Sequence, residues 1–110
     1  MKADLKAVIN DYGFGSWTVV VSAIREDDGS PITNLQEKNF SIMAVQMPSG
    51  WATNHVLEIN SGIHKPTDGI YVFSAGLKEK KLEPGIYTLA ITVGIRGFKG
   101  QTIVTGRIAK

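Results

Sequence analysis

Residues 82–93 read LEPGIYTLAITV, and the fold turns on how this stretch is taken. Pro84 and Gly85 punctuate the chain, and from there the side chains alternate. Tyr87, Leu89, Ile91 and Val93 fall on one face, and Ile86, Thr88, Ala90 and Thr92 on the other. A period of two, dense in β-branched residues and opened by an aromatic one, specifies a strand rather than a helix.

The same pattern recurs along the chain. WTVVVSAIR (17–25) sets Trp17, Val19, Val21 and Ala23 against Thr18, Val20, Ser22 and Ile24. Apolar groups on both faces predict a central strand. DLKAVIN (4–10) predicts a weaker strand before it, across the glycine turn DYGFGS. FSIMAVQM (40–47), WATNHVLEIN (51–60), IYVFSAGL (70–77) and QTIVTGRIA (101–109) extend the series. GIHKPTDG is expected to be a loop, because Pro66 forces Lys65 out of the helical region, and RGFKG a glycine turn. LKEKKLE accommodates at most a turn of helix, and no stretch holds a longer helical stripe. About seven strands at intervals of roughly 8 to 15 residues predict an all-β sandwich.

A chain of 110 residues is expected to form one domain, 1–110, large enough for a core but small for an enclosed substrate pocket. With 43% hydrophobic and 20% charged residues, the composition is that of a folded domain. No cysteine is present, which excludes disulfides, thiol nucleophiles and thiolate zinc sites. The N-terminal MKADLKAVINDYG lacks the continuous apolar stretch of a secretory signal, and no run approaches a membrane span, so membrane insertion is not expected. A formal charge of +2 does not by itself argue for nucleic acid.

Placed just after its turn, Tyr87 resembles the tyrosine corner of Greek-key sandwiches, whose hydroxyl bonds nearby backbone. Taken with WTVVVSAIREDDGSPITNLQEKNFSI (17–42), the chain resembles a bacterial immunoglobulin-like domain. The residues that carry the resemblance are Asp27, Asp28 and Gly29, then Pro31 and Ile32, then Leu35 and Phe40. Tyr71 with Phe73 and Tyr87 with Leu89 follow in the later strands. It spans Trp17 to Ile108 and implies an immunoglobulin-like Greek-key β-sandwich of about seven strands. Gly85 and Tyr87 would form its corner, and Trp17 and Phe40 would fill its core. Such domains serve as spacers, adhesins, assembly parts and accessory modules, so the resemblance implies a surface or secreted setting but no single activity.

Candidate sites are few. Glu26, Asp27 and Asp28 offer carboxylates for calcium, yet adjacent side chains in an extended segment diverge and no EF-hand spacing is present. The reading preferred for them is a solvated turn. His55 and His64 lack ligand spacing, and no nucleophile elbow, carboxylate pair or phosphate-binding loop accompanies the other polar residues. Trp51, just after the PSG turn, Phe14 in the DYGFGS turn, and Arg96, Phe98 and Lys99 around RGFKG are the candidate contact residues, with core or edge packing the competing reading for Trp51. The basic cluster Lys78, Lys80 and Lys81 is interrupted by Glu79 and lacks interleaved aromatics, which disfavours nucleic acid. The expectation is a non-enzymatic module without cofactor that binds a protein partner or a second copy of itself, with edge-strand pairing as one route. A carbohydrate-binding or calcium-supported accessory module is the alternative.

Overall fold

The computed structural model describes residues 2–13, 15–48, 55–77 and 81–109. Among the described residues eight strands appear: β1 (Ala3–Asp11), β2 (Trp17–Arg25), β3 (Phe40–Gln46), β4 (His55–Ile59), β5 (His64–Thr67), β6 (Ile70–Gly76), β7 (Gly85–Ile95) and β8 (Phe98–Ile108). A 3₁₀ turn at Glu37–Asn39 leads into β3. The all-β class follows the alternation read above. The two separate sheets expected of a sandwich are instead joined into one, in the order β1-β2-β6-β4-β3-β7-β8, with β5 added to β6.

Strand β4 makes the join. Its Val56 and Leu57 pair with Met43 and Ile42 of β3, while Glu58 and Ile59 pair with Gly76 and Ala75 of β6. At the far ends of the sheet, β8 comes to lie alongside β1 and nearly closes a barrel. Lys2 and Lys99 form a parallel bridge. A Cβ on Gly100 would stand 2.5 Å from the Ala3 carbonyl oxygen, and one on Gly106 2.8 Å from Ile9 and 2.9 Å from Trp17. Lys2 with Lys99, Ala3 with Gly100 and Ile9 with Gly106 share one register offset, so the two strands run parallel along this seam. Glycine at 100 and 106 is what lets the backbones approach.

The alternation predicted for β2 and β7 is the inside and outside of this sheet. Trp17, Val19, Val21 and Ala23, and Tyr87, Leu89, Ile91 and Val93, all have no exposed surface. They form one cluster with Leu5, Ile9, Ile32, Leu35, Phe40, Ile42, Leu57, Phe73, Leu82 and Ile108. Burying a large aliphatic or aromatic side chain of this kind stabilises by about 1.5–3 kcal/mol. Aromatic contacts mark the two ends of the core: Trp17 meets Tyr87 edge-on at 5.7 Å, and Phe40 packs on Tyr71 at 5.5 Å and Phe73 at 5.2 Å.

Three local expectations need correction. GIHKPTDG is not wholly a loop, because His64–Thr67 forms β5 against β6. Pro66 is tolerated there because an edge strand leaves one side of its backbone unpaired, and the register shifts across it. RGFKG is not wholly a turn: Ile95 pairs with Phe98, so only Arg96 and Gly97 turn the chain, and Phe98 and Lys99 already belong to β8. DLKAVIN belongs to a full nine-residue strand, paired along its length with β2 from Ala3–Arg25 to Asp11–Trp17.

Candidate functional site

The acidic stretch folds as a hairpin-like turn. The Arg25 N–H donates to the Ser30 carbonyl at 2.8 Å, and the Gly29 N–H to the Arg25 carbonyl at 2.9 Å. The returning chain pairs again where the Ile32 N–H donates to the Ala23 carbonyl at 3.0 Å. Asp28 Oδ1 accepts the Ser30 hydroxyl at 2.7 Å and its N–H at 3.0 Å, and these bonds hold its carboxyl below the usual range. The Arg25 guanidinium pairs with Asp27 at 3.3 Å and Asp28 at 3.7 Å. Glu26 borders a separate depression of about 570 Å³ with Lys2, Asp4 and Lys99, of mixed charge. Among the described residues no group of three or more His, Asp or Glu side chains converges as a metal site.

The same end of the barrel receives the 95–99 hairpin. Arg25 stands over the Phe98 ring at 5.2 Å, and Lys99 bridges to Lys2. Phe98 is half-buried, whereas Arg96 and Lys99 are exposed. The structure therefore brings Phe98 and Lys99 beside the acidic turn, through Arg25 and Glu26, which their distance in sequence did not suggest; Arg96 stands at the exposed tip of the same hairpin. Phe14 and Trp51 lie outside the described residues.

At the opposite end, the Tyr87 hydroxyl donates to the Glu83 carbonyl at 2.7 Å. The Leu82 N–H donates to the Gly15 carbonyl at 2.9 Å, which ties this corner to the β1–β2 connection. Gly85 adopts φ 138, and a Cβ there would meet the Pro48 ring at 2.5 Å. Burial pushes the Tyr87 phenol above its ordinary pKa, helped by the Glu83 charge. Trp17 is fully enclosed, with its Nε1 unpartnered, and Phe40 is buried. These four residues are fixed in the interior or at the corner.

The surface most suited to binding was not singled out by the sequence. On the outside of the half-barrel β4-β3-β7-β8, pairing aligns Val56 with Met43, Met43 with Ala90, and Ala90 with Ile103. Val56 is 61% exposed and Ile103 63%, while Ala90, a small side chain between larger neighbours, is 7% exposed. Flanking rows are neutral and polar: Ser41, Thr92 and Gln101 on one side, and Gln46, Thr88 and Thr105 on the other. Gln101 Nε2 donates to Thr92 Oγ1 at 3.2 Å, and the Thr88 and Thr105 hydroxyls meet at 3.3 Å, so these groups satisfy one another across strands. None of these ten side chains is charged, but Glu58 of β4 is exposed on the same face, beside the Ser41–Thr92–Gln101 row.

The outer face of β1, β2 and β6 also carries an apolar row, Val8–Val20–Val72. Asp4 and Lys6 lie beside it on β1, and His64 of β5 pairs with Val72 at its far end, so it is narrower and more polar. The signal for the wider face was present in Ile86, Thr88, Ala90 and Thr92, but their strand neighbours are not readable from one strand alone. No helix among the described residues is long and apolar enough to cross a membrane. Compared with models of protein families, with curated proteins and with solved structures, the chain finds no match.

Proposed function

We propose that this chain is an immunoglobulin-like Greek-key module that works by holding another protein, without catalysis, as part of a surface or secreted polypeptide. The observation that carries the reading is the row Val56–Met43–Ala90–Ile103 on the outside of β4-β3-β7-β8, with Glu58, Lys99 and Arg107 toward the edges of the same face. Val56 and Ile103 are exposed at the ends of this row, Met43 is half-buried between them, and the hydroxyl and amide pairs beside the row satisfy one another, which lowers the desolvation cost of contact. The immunoglobulin-like part is supported by strand neighbours: the runs β1-β2-β6-β5 and β4-β3-β7-β8 follow the order of such domains, with the β4–β6 pairing joining them into one sheet. The Tyr87–Glu83 bond is the corner interaction that the resemblance implies.

A photo-crosslinking residue at position 103, with the same residue at position 6 on the rival face, tests the reading in cells carrying the native gene. Adducts with a protein are expected from position 103 and not from position 6. No adduct from 103, or adducts from 6 alone, overturns it.

A further inference from the structure

We infer that the hollow between the Tyr12 turn and the β4–β5 connection, on the outer face of β2 and β6, binds a neutral sugar ring. Tyr12, Thr18, Ser61, His64, Val72 and Ser74 line it, and it encloses about 210 Å³. It belongs to the other half of the sheet from the Val56–Ile103 row, so it stands or falls apart from the protein-holding reading.

Strand register builds the floor. Thr18 of β2 pairs with Ser74 of β6, and Val20 with Val72. Trp17, Val19, Phe73 and Ala75 alternate with them and are buried, so Thr18, Val72 and Ser74 face outward. Val72 also pairs with His64 of β5, which carries the floor to the sheet edge. Two connections raise the walls. The Tyr12 N–H donates to the Ser16 carbonyl at 2.9 Å, which closes the β1–β2 turn and leaves Tyr12 55% exposed beside the floor. Across the hollow, the Asn60 N–H donates to the Ser74 carbonyl at 3.0 Å and Ser61 Oγ accepts the Ser74 N–H at 2.9 Å, which folds residues 60–61 against β6.

Hydrogen-bonding capacity is left over at this place. Among the described residues the Thr18 hydroxyl and the His64 ring make no hydrogen bond. Ser61, whose oxygen accepts from Ser74, keeps its own proton to donate. Ser74 gives its proton to Asn60 Oδ1 at 2.5 Å and keeps lone pairs to accept. Unused donors and acceptors thus surround one exposed aromatic ring and one aliphatic side chain.

Charge and size choose the ligand. The larger depressions carry ions: Lys2, Asp4, Glu26 and Lys99 at the β1–β8 seam, Glu37, Lys38 and Glu58 between β3 and β4, and Arg107 beside Ile86. No Lys, Arg, Asp or Glu lines this one, so no fixed charge offsets the desolvation of a phosphate or a carboxylate. Its volume falls below the roughly 300–1,000 Å³ of sites for drug-sized molecules, which suits one ring rather than several. A pyranose matches both kinds of lining. Its hydroxyl edge exchanges hydrogen bonds with Thr18, Ser61 and His64, and its C–H face packs on the negative face of the Tyr12 ring. A ring of about a dozen non-hydrogen atoms, at the efficiency of ordinary ligands, binds with a dissociation constant of roughly 1–10 mM.

Amide NMR of the isotope-labelled chain, titrated with the methyl glycosides of glucose, galactose, mannose and N-acetylglucosamine to about 50 mM each, tests the site above the expected dissociation constant. At least one glycoside should shift the amide signals of residues 12, 18, 61–64 and 72–74 and saturate. Tyr12→Ala should weaken that binding about tenfold, while Tyr12→Phe, which keeps the ring, should hold it within about threefold. Thr18→Val, which removes one hydroxyl at nearly constant shape, should weaken it about threefold to tenfold. Neither position belongs to the buried core, so circular dichroism and Tm should match the unmodified chain. No shift at these amides with any of the four glycosides overturns the proposal, as does a shift that Tyr12→Ala leaves unchanged. Uridine at the same concentration is the control for an unselective ring site, and equal shifts from it overturn the sugar assignment.

Discussion

Two tyrosines close the loops of this domain, and they do so in similar sequence settings. Gly69-Ile70-Tyr71 opens β6 and Gly85-Ile86-Tyr87 opens β7, and in each the ring points inward from the third position. The Tyr71 hydroxyl donates to the Ile32 carbonyl at 2.5 Å and accepts the Leu35 N–H at 3.2 Å, which pins the chain that returns from the acidic turn. Tyr87 makes one such bond, to Glu83. Tyr87→Phe is expected to cost about 1 kcal/mol, the net value of one hydrogen bond. Tyr71→Phe should cost about 2 kcal/mol, because it leaves a donor and an acceptor beside buried Ile32 and Leu35 unpaired. Urea unfolding of both variants at constant m-value measures the difference, and equal losses would show that the Leu35 bond contributes nothing. The sequence displayed the repeated Gly-Ile-Tyr but not what the hydroxyls reach, since Ile32 and Leu35 lie far from Tyr71 along the chain.

At the level of elements, hairpins were legible and the seam was not. Alternation and glycine turns predict β1–β2 and β7–β8, whose partners are close in sequence. What joins the two hairpins is Asp11, which accepts the Gly13 N–H at 2.7 Å and, from the end of β8, the Ala109 N–H at 2.8 Å. These bonds lower the Asp11 carboxyl, the bond from Ala109 contributing most. A lowered folded-state pKa means that the stabilisation is complete above the unfolded value near 3.8 and is lost as pH falls through the folded value. Melting curves from pH 6 down to about pH 2, which brackets that ordinary carboxylate range, should therefore fall more steeply for the unmodified chain than for Asp11→Asn. Parallel profiles would place the carboxylate outside the seam. The short β5 escaped sequence reading for a different reason: Pro66 argues against a strand except at an edge, and edge status is a property of the assembled sheet.

For the molecule as a whole, closure depends on the parallel approach of β8 to β1. Lys2→Cys/Lys99→Cys replaces the bridge pair in a chain otherwise free of cysteine. A disulfide that closes a loop of about 100 residues is worth up to about 4.7 kcal/mol in the chain-entropy model. Even a fraction of that should raise Tm by at least about 5 °C on oxidation, reversed by reductant. A Tm that does not rise would show that the seam stands open in solution. The sequence by itself determined the all-β class, the inward faces of β2 and β7 and most turns, because alternation and turn chemistry act between residues close in the chain. It also proposed the acidic stretch as a turn, which its bonds to Ser30 and Arg25 now describe. Tertiary structure alone decided that β4 joins both halves, that β8 meets β1, and that Val56, Met43, Ala90 and Ile103 form one row. Each of these depends on the register between strands distant in sequence, and alternation within a strand says which face a residue takes but not which neighbour it meets there.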